Sequence, residues 1–234
     1  AVGRLTREME AMGSLVLAAA RAAALPAGDA LAVDREAFSR HIGGILAGHP
    51  RIRVVRHEVT TLPDGPAILA TGPLTSPPLH AALEELLGDG SLSFFDAIAP
   101  VVAADSLDMS VLFAASRYGK GGGADYLNAP FDHDQYVAFV VALRQAEKVP
   151  LHEFERDIPH FEGCLPIEVM AERGLDTLRY GPMKSVGLDD PRTGRRPYAV
   201  VQLRQDDLAA EHWNLVGFQT RMTVGAQRDV LRLI

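Results

Sequence analysis

The chemistry that this sequence could perform centres on one cysteine. Cys164 is the only cysteine in 234 residues, and the pattern after it predicts a short helix. Pro166 opens that pattern, apolar residues recur across 167–173, and Gly174 closes it. Proline is favoured in the first turn of a helix and glycine just past its end. We therefore expect Cys164 at the helix N-terminus, where unpaired backbone N–H groups favour the thiolate that attacks electrophilic carbon.

A structural role for this cysteine competes with the chemical one. A lone cysteine is commonly a small buried hydrophobe, and no base stands beside it in the sequence. Glu162 and Glu168 flank Cys164 and are candidate proton carriers. Two nearby carboxylates would also disfavour a thiolate, because like charges repel. The residues alone leave both roles open.

Composition excludes several classes of protein. One cysteine rules out an internal disulfide framework and fits a reducing, cytoplasmic compartment. No segment reaches the roughly 18 consecutive apolar residues that a membrane span needs, and the start of the chain resembles neither a signal peptide nor a transit peptide. The formal net charge of -7 argues against a generally basic surface for nucleic acid. Any RNA would need a local basic patch.

Hydrophobic periodicity predicts the elements that must position the cysteine. Besides the short helix after Cys164, helices are expected at residues 4–24, about 34–48, 78–87, 134–147 and 227–233. Strands are expected at residues 52–56, 67–70, 110–115, 198–204 and 213–220, the last two paired antiparallel. Residues 119–124 and 189–194 are predicted loops or turns. Helices alternating with buried strands in the first part favour an α/β layer, and a shift in composition places a domain boundary near residue 92.

A turn of small residues follows the second predicted strand. Ala70, Thr71 and Gly72 stand at its carboxyl end, where open α/β sheets bind cofactors and small side chains let a ligand approach the backbone. The G-x-G-x-x-G fingerprint that should open such a fold is missing from the sequence. The glycine cluster at 119–123 has neither that spacing nor the Ser or Thr that a P-loop carries after its lysine.

Several long strings resemble one known family. They are ALAVDREAFSRHI, ILATGPLTS, FFDAIAPVVAADSLDM, ASRYGKGGGADYLNAP, FEGCLPIEVMAERG, DTLRYGPMKSVGLDDPRTGRRPYAVVQLRQD and NLVGFQT. In this order they are similar to the folate- and FAD-dependent tRNA (uracil-5-)-methyltransferases, the TrmFO family, over nearly the whole chain. That family often has histidine or lysine directly after GFQT, whereas this sequence has Arg221.

The resemblance implies a reaction and its cofactors. Cys164 would add to carbon 6 of a uridine in the tRNA T-loop, which makes carbon 5 nucleophilic. Methylenetetrahydrofolate would supply the carbon, FAD the hydride, and NADH or NADPH the reducing equivalents. The resemblance also implies cofactor contacts in the strand before the small turn, in the turn itself and in the GPMK segment: Val59, Ala70, Thr71, Gly72, Pro73 and Lys184.

The resemblance also implies a fold. Residues 1–91 would be a remnant of a Rossmann-like, glutathione-reductase-type FAD-binding domain without its G-x-G-x-x-G segment, and residues 92–234 an inserted α+β domain. The family carries that fingerprint and a second functional cysteine upstream of the position of Ala1. We therefore expect an internal piece of a longer protein, inactive by itself.

Two other functions stay open, as do the RNA-binding surface and the oligomeric state. One is GidA-like flavin- and folate-dependent modification of an anticodon wobble uridine, and the other is a non-catalytic tRNA-binding fragment. Three basic groups are candidates for RNA contact, and the second, on a projecting loop, is favoured: Arg51, Arg53 and Arg56; Arg192, Arg195 and Arg196; Arg221, Arg228 and Arg232. Asp132, His133 and Asp134, with Asp105 and Asp108, could ligate a metal, but a helix cap is the preferred interpretation and no metal is expected.

Overall fold

The computed structural model describes residues 3–72, 75–88, 99–150 and 165–234. The helices are α1 (Arg4–Ala11), α2 (Leu15–Ala22), α3 (Arg35–Gly48), α4 (Pro77–Leu87), α5 (His133–Gln145), α6 (Ile167–Glu172), α7 (Thr177–Tyr180) and α8 (Val224–Leu231). The strands are β1 (Ala24–Leu25), β2 (Ala32–Val33), β3 (Val101–Ala103), β4 (Phe113–Ala114), β5 (Tyr126–Phe131), β6 (Ala199–Gln205) and β7 (His212–Leu215). Within the described ranges, no helix is both long and apolar enough to cross a membrane.

A five-stranded antiparallel sheet forms the centre of the molecule, in the order β3-β7-β6-β5-β4. The predicted antiparallel pairing of β6 with β7 is confirmed, although β7 ends at Leu215, before a turn in which Gly217 has φ 76°. The predicted strand at 110–115 is confirmed only at its last residues, as β4. The mixed helix-and-sheet class expected for this part of the chain is confirmed.

Helix α5 covers one face of this sheet and supplies side chains to the hydrophobic core. The inward residues predicted for it are confirmed, since four side chains are fully buried: Tyr136, Phe139, Val140 and Leu143. The Phe139 ring lies 5.4 Å from that of Phe131 and 6.1 Å from that of Phe218, centroid to centroid. These contacts join the helix to β5 and to the segment after β7.

The interior strand β5 was not predicted from the sequence because Pro130 lies inside it. Proline cannot donate to a ladder and is usually excluded from central strands. Here Pro130 pairs with Val200, whose N–H donates to Met183 O instead, and β4 pairs only with Leu127 and Asn128. The proline thus occupies a position where no donor is required of it.

The single helix predicted at residues 4–24 is wrong, because the chain breaks at Gly13. This glycine has φ 71°, a left-handed conformation that commonly ends helices. Ser14 then caps α2, its hydroxyl accepting from Leu17 N at 3.4 Å. The helix predicted from Asp34 is confirmed as α3, with Asp34 Oδ1 accepting from Ala37 N at 2.8 Å. The helices predicted at 78–87 and 227–233 correspond to α4 and α8.

The strands predicted at 52–56 and 67–70 are wrong for this chain. Residues 49–72 contain neither helix nor strand, and nearly all of their side chains are exposed, including Ile68 at 94%. A strand exists only when neighbours accept and donate its backbone hydrogen bonds. No other segment in the described part of the chain pairs with these residues. The α/β layer expected for the first part is therefore not formed here.

The N-terminal segment contacts the loops at one end of the sheet. Gly28 N donates to Asp125 Oδ2 at 2.8 Å, and the Tyr126 hydroxyl donates to Ala27 O at 2.8 Å. Arg35 also forms an ion pair with Asp206 at 2.7 Å. The predicted boundary near residue 92 lies in 89–98, outside the described residues, so the division of the chain at that point stays a prediction.

Candidate functional site

The predicted nucleophile itself lies outside the described residues. Cys164 belongs to residues 151–164, as do Glu162, His152 and His160. The helix predicted after the cysteine is confirmed as α6, with Pro166 at its N-cap. Pro166 has no N–H, and Ile167 N already donates to Gln219 O at 2.7 Å. The six-residue α6 therefore offers fewer free donors than the pattern predicted.

Glu168, a candidate proton carrier by sequence, is a structural residue. Its side chain is 1% exposed, and both carboxylate oxygens accept hydrogen bonds, from Thr220 Oγ1 at 3.0 Å and from Arg221 N at 2.7 Å. Thr220 Oγ1 in turn accepts from Met222 N at 3.0 Å. The carboxylate therefore fastens α6 to the segment that follows β7.

Residues 219–222 hold both flanks of the cysteine-containing segment. On one side Val149 N donates to Arg221 O at 2.8 Å, and Arg221 Nη2 donates to Val149 O at 2.9 Å. On the other side, Ile167 N donates to Gln219 O, and Thr220 Oγ1 and Arg221 N donate to the Glu168 carboxylate. The Gln219 side-chain oxygen is buried and has no hydrogen-bond partner among the described residues. We refer to residues 219–222 as the flank support.

Of the residues implied as FAD contacts, Thr71 and Gly72 lie in an accessible turn. Val59 and Ala70 are exposed. Thr71 Oγ1 lies 2.6 Å from the hydroxyl of Thr75, which also donates to Gly72 O at 3.1 Å. Gly72 has φ 75°, and nothing lies within 4 Å of the position that a Cβ would take. Pro73, the fifth residue of this predicted set, lies outside the described residues.

Lys184 lies apart from that turn in sequence, on the segment after α7. Its side chain is exposed, and its backbone N–H donates to Gly181 O at 3.2 Å. In the described part of the chain its ammonium group has no carboxylate partner. An unpaired exposed ammonium group can bind an anion, so the predicted role remains chemically open to it.

Arg117 joins this segment to the glycine-rich loop, which is a contact that sequence analysis missed. Its guanidinium donates to Lys184 O at 2.8 Å, to Gln202 Oε1 at 3.0 Å and to Val186 O. Desolvation by burial lowers the pKa of Arg117. The only signal in the sequence was its position two residues before the glycine cluster at 119–123.

The favoured basic group divides into one structural arginine and two exposed ones. The Arg192 guanidinium forms a bidentate pair with Asp190 at 3.0 and 2.7 Å, and donates to the carbonyls of Ser110 and Val111 at 2.7 and 2.8 Å. Hydrogen bonding to Arg192 lowers the pKa of Asp190. Arg192 therefore pins the predicted turn, which is confirmed, whereas Arg195 and Arg196 remain exposed.

These arginines line a cleft of about 530 Å³ together with Tyr198 and His133. The Arg179 guanidinium stacks on the Tyr198 ring at 4.0 Å, and the His133 ring meets its edge at 5.1 Å. Five carboxylates surround the same region: Asp132, Asp134, Asp176, Asp189 and Asp190. The cleft is therefore close to neutral, which weakens the case for it as the main phosphate-binding surface.

The acidic run before α5 is a helix cap, as preferred from the sequence. Asp132 Oδ1 accepts from Gln135 N at 2.8 Å, and Gln135 Oε1 accepts from Asp132 N at 2.9 Å, which completes a capping box. Asp108 accepts instead from Ser110. Across the described ranges, no three potential metal ligands come together.

Comparison with known proteins places this chain in a family. It is 62% identical over 234 residues to a protein of Anaeromyxobacter sp. (strain Fw109-5), with 99% of this chain and 51% of the relative covered. It is 57% identical over 235 residues to a protein of Geobacter sulfurreducens, with 100% and 54% covered. Both relatives are named methylenetetrahydrofolate–tRNA-(uracil-5-)-methyltransferase TrmFO, and the chain spans about half of their length. The family model described as glucose inhibited division protein A matches residues 1–234, so the chain belongs to that family.

Proposed function

We propose that the full-length protein methylates carbon 5 of a T-loop uridine in tRNA, giving 5-methyluridine, with methylenetetrahydrofolate as carbon donor. One observation carries the proposal. The similarity to proteins named for this reaction runs at 53–62% identity across at least 98% of the chain. It includes the string that holds Cys164. The GidA-like wobble-uridine activity and the non-catalytic fragment are the alternatives, and the names of these relatives do not favour them.

Cys164 is the residue that we assign to the chemistry. Carbon 5 of uracil is a poor nucleophile until a group adds at carbon 6, and a cysteine thiolate can make that addition. The uridine must leave its stack to reach a protein side chain. The flank support at residues 219–222 fixes the chain on both sides of the cysteine segment and would thereby help to position Cys164.

The small turn fits a flavin nucleotide contact. Gly72 leaves open the space that a Cβ would fill, so a ligand can approach the backbone at Thr71 and Gly72 closely. We propose that this turn, with Val59, Ala70 and Pro73, contacts FAD, and that Lys184 faces an anionic group of the flavin or the folate. Bound FAD would supply the hydride that turns the transferred carbon into a methyl group, with NADH or NADPH as the source of electrons.

Residues 1–91 would belong to the FAD-binding domain and residues 92–234 to the inserted domain. The protein would act in the cytoplasm, on tRNA, without a metal. The 234 residues alone should be inactive, and methyl transfer by the purified chain would contradict that expectation.

Product analysis tests the proposed function. The full-length protein would be incubated with an unmodified tRNA transcript, FAD, methylenetetrahydrofolate and NADPH, and the digested RNA would be analysed by mass spectrometry. We expect 5-methyluridine in the T-loop fragment. A modified uridine in the anticodon fragment would favour the GidA-like activity. Binding without any modified nucleoside would favour a non-catalytic role and overturn the proposal.

A further inference from the structure

We propose that Tyr118 is a stacking platform for a nucleobase of the tRNA, next to the segment that carries Lys184. This inference rests on the proposed function, because it takes tRNA as the substrate. It concerns the loop Arg117–Gly119 and the glycines that follow it, a motif that the proposed reaction does not otherwise use.

The backbone of Tyr118 is held in a conformation that few side chains adopt. Its φ of 59° and ψ of 25° lie in the left-handed region, which is uncommon for residues other than glycine, asparagine and aspartate. Tyr118 N donates to Gly187 O at 3.0 Å, which fixes this geometry. Strain of this kind persists where the surroundings impose it, and it is concentrated at functional sites.

The ring of Tyr118 lies against a glycine that leaves room for it. A Cβ on Gly187 would stand 2.6 to 2.9 Å from three ring carbons, and Gly187 itself has φ 80°. One part of the ring is thus covered by backbone, while the residue stays 64% exposed. An aromatic ring supported underneath and open above is the arrangement on which RNA-binding proteins stack unpaired bases.

The two segments beside this ring contain cations, although the loop also contacts Asp125, which accepts from Gly122 N at 3.1 Å. Residues 117–123 include Arg117 and Lys120 and no acid, and residues 180–188 include Lys184 and no acid, although the net charge of the chain is -7. Lys120 is neutralised by Asp29 at 2.6 Å. Lys184 is three residues from Gly187, a chain distance of at most about 11 Å. Because the proposed function assigns the Lys184 ammonium group to the flavin or the folate, a base on the platform would lie beside the proposed cofactor site.

The openness of the platform favours a nucleotide of a large ligand over a small cofactor. Small-molecule sites are concave and cover most of the ligand surface. Tyr118 lines neither the cleft beside Tyr198 nor the apolar cleft of about 570 Å³ between β3 and α8. Stacking of one base on an open ring gives little binding free energy alone, but it adds to the affinity when the rest of the RNA is bound elsewhere on the protein.

The test measures binding of an unmodified tRNA transcript to the full-length, FAD-loaded protein. We expect Tyr118→Ala to raise the Kd by about tenfold, since one base–aromatic stack has an effect of that order. Tyr118→Phe keeps the ring and should bind like the wild type. Gly187→Ala displaces the ring without removing it and should weaken binding in the same direction as Tyr118→Ala. Thermal unfolding of each variant identifies any that fail to fold.

Three outcomes would overturn the platform. They are unchanged tRNA binding by Tyr118→Ala, equal losses for Tyr118→Ala and Tyr118→Phe, and a Tyr118→Ala effect confined to the KM for methylenetetrahydrofolate. The last would assign the ring to the folate. A wild-type protein that binds tRNA but makes no 5-methyluridine would refute the proposed function while leaving the platform testable by the same titration.

Discussion

The sheet with its covering helix and the stretch at residues 49–72 contain similar kinds of residue but fold differently. In the sheet, β5 pairs along six residues with β6, and α5 buries four side chains completely against it. In residues 49–72, comparably apolar segments are exposed, with Ile68 at 94% and Val55 at 56%. Each strand of the sheet pairs with another strand of the described chain, whereas residues 49–72 pair with no strand there.

The difference shows that an apolar segment can form a strand, but that it does so only when a neighbouring strand pairs with it. A lone strand leaves its backbone groups to water and buries too little apolar surface to offset the loss of conformational entropy. We infer that residues 67–70 become a strand in the full-length protein, where the proposed FAD-binding domain would supply neighbours.

The largest expected effect is on backbone hydrogen exchange at residues 67–70. In the 234-residue chain these amides should exchange close to the rate of an unfolded peptide, since they form no ladder. In the full-length protein we expect exchange slower by about a thousandfold or more, which corresponds to about 4 kcal/mol of local stability. Amides of β6 serve as the reference and should be protected in both proteins. Equally fast exchange at 67–70 in both would contradict the inferred strand.

Truncating one apolar side chain in each region should separate the core from the exposed stretch. Phe139→Ala removes a fully buried ring that contacts two others, and should lower the free energy of unfolding by about 4 kcal/mol. Ile68→Ala in the same chain should change it by less than about 0.5 kcal/mol. Urea unfolding followed by circular dichroism measures both. Similar losses would show that the two regions are packed alike.

Removing the buried carboxylate of Glu168 should lower the free energy of unfolding more than removing the exposed carboxylate of Glu172. Glu168→Ala leaves Thr220 Oγ1 and Arg221 N without their acceptor, so we expect a loss of about 2–3 kcal/mol in unfolding free energy. Glu172→Ala is the control, because this glutamate forms an exposed pair with Lys148 at 2.5 Å, and should cost less than about 1 kcal/mol. If Glu168 instead carried protons, Glu168→Ala would abolish methylation while leaving unfolding unchanged.

The smallest expected effect is the pH dependence of the turn at residues 189–194. Arg192 lowers the pKa of Asp190, so the folded state favours the ionised carboxylate. This stabilisation is present above the unfolded pKa of about 3.9 and disappears as pH falls through the lower folded pKa. Asp190→Asn should therefore lose about 1 kcal/mol at pH 6, and the gap to wild type should close below about pH 4.

The neighbouring aspartate provides the matched control for that prediction. Asp189 is exposed and lies 3.4 Å from Arg196. Asp189→Asn should give parallel stability curves for variant and wild type between pH 2 and 6. Urea unfolding at several pH values measures both variants. A gap for Asp190→Asn that persists unchanged to pH 2 would show that the carboxylate charge contributes nothing to the turn.

Sequence analysis succeeded where local chemistry alone decides the structure. The cap at Asp132, the cap at Asp34 and the apolar face of α5 were all predictable, because each depends on residues within one or two turns. Strand β5 was missed because tertiary pairing makes Pro130 acceptable. The break at Gly13 was missed because a helical pattern of apolar residues runs through it.

The candidate site was less predictable than the fold because its contacts join distant segments. Glu168 and Thr220 are 52 residues apart, and Arg117 lies 69 residues from the Val186 carbonyl that it contacts. Nothing near Glu168 in the sequence indicates that its carboxylate is buried. Nothing near Tyr118 indicates that Gly187 supports its ring. The cofactor contacts and the role of Cys164 came from resemblance and remain proposals.

The most direct test of the account is a covalent trap at Cys164. Fluorine at carbon 5 of a uridine blocks completion of the reaction after a thiolate has added to carbon 6, so enzyme and RNA stay joined. We predict that the full-length protein with methylenetetrahydrofolate forms a denaturation-resistant complex with 5-fluorouridine-containing tRNA, and that Cys164→Ala abolishes it. A complex of equal yield with Cys164→Ala would contradict the proposed role of this cysteine.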